Sequence, residues 1–149
     1  MGHTFLLEPG RWTLEGNWLE RDGTPINVKG ITIVAWNRDE WFTMVTKLIF
    51  PRNDRSGISL QYRGRLDRGE KKYTFLLSHN IFGSVEGEGW IGKNSIVQQY
   101  WVLGNSKQRN SGFETLYQVN QDTYYVSGGS MSGHFLTSTM EASLERQLS

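Results

Sequence analysis

Cysteine is absent from the 149 residues. That excludes disulfides, thiolate metal sites and cysteine nucleophiles, and it fits a reducing compartment. Proline occurs 3 times, so few rigid breaks interrupt the chain. Neither sign of charge dominates. Sixteen Lys+Arg against 15 Asp+Glu leave a net charge of +1, too little to steer the chain to nucleic acid or an anionic membrane. The apolar run in Met1–Glu8 is too short for a secretion signal, and Leu6 breaks the myristoylation pattern. No Gly-rich phosphate loop, Gly-x-Ser-x-Gly elbow or cluster of metal ligands is present. These absences predict a soluble cytoplasmic protein with no metal, no cofactor, no nucleic-acid partner and no membrane insertion. A homodimer is compatible with them.

What the chain does hold is aromatic residues, 13%, and 17 glycines, a composition that suits strands joined by tight turns. Strand-like runs recur along its whole length: Arg11–Arg21, Ile26–Trp36, Trp41–Phe50, Ile58–Leu66, Lys71–His79, Ser84–Ile91, Ser95–Leu103, Phe113–Val119, Thr123–Ser127 and Phe135–Arg146. Turn signals separate them, among them Asp22-Gly23-Thr24-Pro25, Asn37-Arg38-Asp39-Glu40 and the polar loop Gly104–Gly112. The connections leave no room for crossover helices, so neighbouring strands must be antiparallel. About ten strands in a meander make too wide a sheet to stay open. The expectation is therefore an all-β fold over residues 1–149, a single closed antiparallel up-and-down β-barrel, with a two-sheet sandwich as the competing fold.

Trp12, Leu14, Gly16 and Trp18 fall on one face of the first strand. Gly16-Asn17-Trp18 at the start of the meander and Arg146 in the last strand together resemble the calycin superfamily of lipocalins and fatty-acid-binding proteins. Gly10-Arg11-Trp12 also fits the Gly-x-Trp pattern. The chain looks like the short, cytoplasmic, cysteine-free bacterial members of that superfamily. The resemblance implies that Trp18 plugs the blind end of the barrel, with the Arg146 guanidinium over its indole and Gly16 easing close approach. Nitrobindin-like barrels of this kind hold haem through a histidine in the last strand. Thr139–Arg146 contains none, and His134 precedes that stretch, so haem is not expected. A likeness to the lipocalin-shaped bilin lyases is shallow, because their helical start is not evident.

Barrels of this size hold a small ligand. Alternation points Leu60, Tyr62, Phe75, Leu77 and His79 inward, and Trp36, Met44, Tyr100, Tyr117 and Met140 are further interior candidates. One of Gln98 and Gln99 must face inward as a polar anchor, and Gln99 is the one assigned to the ligand site. Ordinary core packing accounts for most of these residues, and His79 reads first as a hydrogen-bonded strand end. Glu86 and Glu88 read as a solvated outer face, and no catalytic residue is assigned. Gly128–Gly133 reads as a flexible hairpin tip that could cover the mouth. The expected function is non-catalytic binding of a small hydrophobic or amphipathic molecule inside the barrel. The alternatives are an enzyme or chromophore-handling protein using the same cavity, and an interaction module with a filled barrel.

Overall fold

A computed structural model describes residues 2–21, 23–37, 40–103 and 109–148. Ten strands run β1 (Gly10–Glu20), β2 (Ile26–Trp36), β3 (Trp41–Ile49), β4 (Ile58–Leu66), β5 (Lys72–His79), β6 (Gly83–Ile91), β7 (Ser95–Val102), β8 (Asn110–Asn120), β9 (Thr123–Ser132) and β10 (Phe135–Arg146). Each pairs antiparallel with its neighbours in sequence, and β10 returns to pair with β1, closing the barrel. Closure needs a long final strand, and β10 matches β1 from Trp12↔Arg146 to Glu20↔Ser138. Asp22, Arg38, Asp39 and residues 104–108, which fall in three of the expected turns, lie outside the described residues.

Strict alternation builds the wall. In β5 every second residue is buried, Tyr73, Phe75, Leu77 and His79, while Lys72, Thr74, Leu76 and Ser78 face out. The glycine-rich stretch 128–132 is not a loose tip. It is the second half of β9, laddered to both β8 and β10, and only Gly133 and His134 form the turn.

Glycines and aromatic rings interlock on the inner wall. A Cβ on Gly64 would sit 2.3 Å from the Phe42 ring, one on Gly87 2.3 Å from Phe75, one on Gly89 2.0 Å from Tyr73, and one on Gly112 2.2 Å from Tyr100. Each ring therefore lies flat over a glycine of the adjacent strand, as in aromatic rescue of strand glycines. Of these rings, Tyr100 lines the cavity at one end of the barrel, and Phe42, Tyr73 and Phe75 belong to the packed core.

One end is closed. Residues 4–8 make a turn that seats Phe5 and Leu6 in the core, with Leu6 at a φ of 70°, a backbone region costly for a branched side chain. Phe5, Trp12 and Tyr124 meet pairwise at centroid distances of 5.3 to 5.8 Å. The Trp36 indole N–H donates to the Leu6 carbonyl at 2.7 Å, and His3 bridges the Tyr124 hydroxyl and the Gly92 carbonyl at 2.7 Å each.

Here the structure corrects the expected plug. Arg146 lies over Trp12, its Cζ 5.8 Å from the ring centroid, and Trp12 is wholly buried. Trp18 points into the same interior but six residues further along β1, at the opposite end. A strand rises about 3.3 Å per residue, so one strand cannot place both tryptophans at one end. Gly10-Arg11-Trp12 is the motif that closes the barrel. Gly16 serves strand pairing instead, since a Cβ there would sit 2.0 Å from the Glu141 carbonyl oxygen.

Candidate ligand-binding site

The open end lies where β1, β3, β5 and β9 finish. There the wall encloses a cavity of about 440 Å³, within the range of roughly 300–1,000 Å³ usual for small-molecule sites. Leu60, Tyr62, Leu77, His79, Tyr100 and Met140 line it, with Trp18 at the rim. A smaller void of about 50 Å³ lies towards the plug, walled by Phe5, Leu6, Met44, Tyr73 and Gln98 among others. The two chambers share Leu48, Leu60, Tyr62, Glu114 and Met140.

Arg55 stands at the rim. Its Cζ lies 5.3 Å from the Trp18 ring and 5.2 Å from the Phe50 ring, and its guanidinium pairs with Glu20. The Trp18 indole N–H donates to the same carboxylate at 3.3 Å. The rim cation is thus already neutralised.

His79 ends β5 with its Nδ1 accepting the backbone N–H groups of Ile81 and Phe82 at 3.0 and 3.2 Å. Both bonds require an unprotonated Nδ1, so the ring carries its proton on Nε2. Burial pushes its pKa below the usual histidine value.

The polar centre of the interior is a chain of three side chains. The Tyr73 hydroxyl donates to Gln98 Oε1 at 2.7 Å, and Gln98 Nε2 donates to Glu114 Oε2 at 3.0 Å. Gln98 and Glu114 are direct cross-strand partners on β7 and β8. Glu114 has a glycine, Gly128, as its partner on β9, and a Cβ there would crowd Glu114 Cγ at 2.9 Å. Burial raises the Glu114 pKa above the ordinary carboxylate value, opposed by the Gln98 hydrogen bond. The carboxylate in turn adds to the effect of burial in raising the hydroxyl pKa values of Tyr62, Tyr73 and Tyr100.

Five of the nine residues expected at the ligand site line these chambers: Met44, Tyr62, His79, Tyr100 and Met140. Trp36 and Phe75 are interior but do something else. Trp36 anchors the plug through Leu6, and Phe75 packs edge-on to Tyr62, tilted against Tyr73 and over Gly87. Gln99 and Tyr117 are corrections. Successive strand residues face opposite ways, so Gln99 cannot share the interior with Tyr100; it points out and donates to Glu88 at 3.2 Å. Tyr117 is 52% exposed on the outer face, because Leu116 takes the inward position. The apolar inward residues of β10 are Met140, Ala142 and Leu144, and no group of three metal-ligating residues occurs among the described residues.

Sequence reasoning missed Tyr73 and Glu114 as site residues. The usable signal for Glu114 was its spacing from Gly112 and Leu116, two residues to either side. Hydrophobicity alone favoured the face of Phe113 and Tyr117.

No protein-family model matches the chain, and no curated protein matches it in sequence. Solved structures do match in shape. A crystal structure of Rv2717c from M. tuberculosis superposes with a TM-score of 0.73 at 15% identity, covering 99% of this chain and 100% of that one. The S-type phycobiliprotein lyase CPES from Guillardia theta superposes with a TM-score of 0.67 at 12% identity, covering 95% and 89% respectively. At such identities the likeness is one of fold. The chain is similar to lipocalin-like barrels along nearly its whole length.

Proposed function

We propose that the chain is a calycin-like barrel that binds a small apolar or amphipathic molecule in its interior without chemical turnover. The observation that carries this reading is the cavity of about 440 Å³ behind an open rim. Apolar walls with a few polar groups are the usual make-up of a binding site. The Tyr100 ring seated over Gly112 supports it, since it lines the cavity wall instead of filling the lumen.

A second reading, handling of a chromophore in the same cavity, draws on the likeness to the phycobiliprotein lyase. Native mass spectrometry of the protein purified from its own host tests both. A retained species of defined mass is the expected result, and a tetrapyrrole mass would favour the second reading. Protein free of any adduct that also fails to take up a solvatochromic dye would overturn the binding reading.

A further inference from the structure

The polar chain inside the barrel narrows the chemistry of the ligand. We propose that Glu114, with the tyrosines around it, anchors a cationic headgroup, so that the ligand is a lipophilic ammonium compound rather than a fatty acid or a neutral lipid. This rests on the reading that the lumen holds a ligand.

Glu114 sits where the two chambers meet, lining both. A carboxylate can accept about four hydrogen bonds, and among the described residues one is supplied, by Gln98 at 3.0 Å. Gln98 cannot turn its carbonyl towards the carboxylate, because the Tyr73 hydroxyl holds that oxygen at 2.7 Å. The remaining capacity of the carboxylate therefore faces the cavity. No ion pair reaches Glu114 among the described residues.

The surroundings favour a cation in three ways. Tyr62 and Tyr100 share the larger chamber with Glu114, and aromatic faces attract ammonium groups, most of all where water is excluded. An anionic headgroup at this depth would meet the carboxylate, and among the described residues no basic side chain pairs with Glu114 to offset it. At the rim, Arg55 is already engaged by Glu20. Beyond the headgroup position, Ile58, Leu60, Leu77 and Met140 offer an apolar wall for an alkyl or ring body. Burial also disfavours the bare carboxylate, a penalty that an entering ammonium relieves.

The test is isothermal titration of the full chain at neutral pH with decylammonium, whose three N–H groups can donate to the carboxylate, and with decanol and decanoate, each below its micelle-forming concentration. The ammonium should bind at least about tenfold more tightly than decanol, since a charge-assisted contact in a desolvated site contributes on the order of 1.5–3 kcal/mol. Glu114→Gln keeps the shape and the acceptor for Gln98. It should abolish the preference of the ammonium over decanol. Tyr62→Leu should weaken the ammonium selectively, and Tyr62→Phe should not. If decanol or decanoate bind as well as the ammonium, or Glu114→Gln retains the preference, the headgroup assignment falls while lumen binding stands. If none of the three binds, the binding reading falls with it.

Discussion

The guanidinium of Arg146 lies 5.8 Å above the ring of Trp12 and also donates to the Pro9 carbonyl at 3.3 Å. Its partner is the tryptophan at the start of β1, and the one at its end is free to serve the mouth. Trp12→Ala should destabilise the fold by about 3–5 kcal/mol, as expected for emptying a large buried site. Trp18→Ala, on a half-buried ring, should cost no more than about 2 kcal/mol, and Arg146→Ala on the order of 1 kcal/mol. Urea denaturation of the three variants checks the ranking. A larger loss for Trp18 than for Trp12 would return the plug to the wrong end.

Glu114 makes stability depend on pH in a definite direction. Its folded pKa lies above the unfolded value, so the native state holds the proton more tightly. The resulting stabilisation is fully present below the unfolded pKa and is lost as pH rises through the folded one. Glu114→Gln should therefore raise the melting temperature at about pH 8 and leave it nearly unchanged at about pH 4. Equal effects at both pH values would show that burial does not disfavour the charged form.

His79 works in the opposite sense. Its folded pKa is depressed, and its Nδ1 is committed to two backbone donors. Stability is retained above the unfolded pKa of about 6.5 and falls as pH drops below it. Ring-proton NMR should show a histidine resonance titrating below the ordinary histidine value, and His79→Gln should remove that resonance. Melting temperature should fall on acidification from about pH 7.5 to about pH 5.5 in the parent chain and much less in the variant.

Gly112→Ala is a small change on the wall with an effect in the lumen. The new Cβ would lie 2.2 Å from the Tyr100 ring, so the ring must swing into the cavity. A loss of about 1–3 kcal/mol is expected, together with weaker uptake of a lumen dye. An unaltered dye affinity would mean that Tyr100 relaxes elsewhere.

The strand boundaries of β2, β4 and β10 were readable to the residue, because turn residues flank them, and in β4 clean alternation adds to that signal. β8 and β9 were not. Their glycines argue against strand on propensity alone, yet Gly112 and Gly128 exist to admit Tyr100 and Glu114 from adjacent strands, a cross-strand reason that one strand's sequence does not display. Register decided the rest of the site. Gln99 and Tyr117 differ from the correct Gln98 and Leu116 by one position each, and each single step turns a side chain from the lumen to solvent. Trp18 was misplaced for another reason: a Gly-x-Trp pattern occurs twice in eleven residues, and only the pairing of β1 with β10 puts Arg146 opposite Trp12.

The seating of rings on glycines has a consequence for how such a barrel could change its ligand. Part of the outline of the lumen is set by Gly112, which has no side chain and lies beneath Tyr100 rather than in the cavity lining. Moving a glycine one pair along the ladder would tip a different ring inward and recast the chamber, with every contact residue left as it was. The shape of this lumen is thus partly written in a blank position, where a comparison of lining residues alone would overlook it.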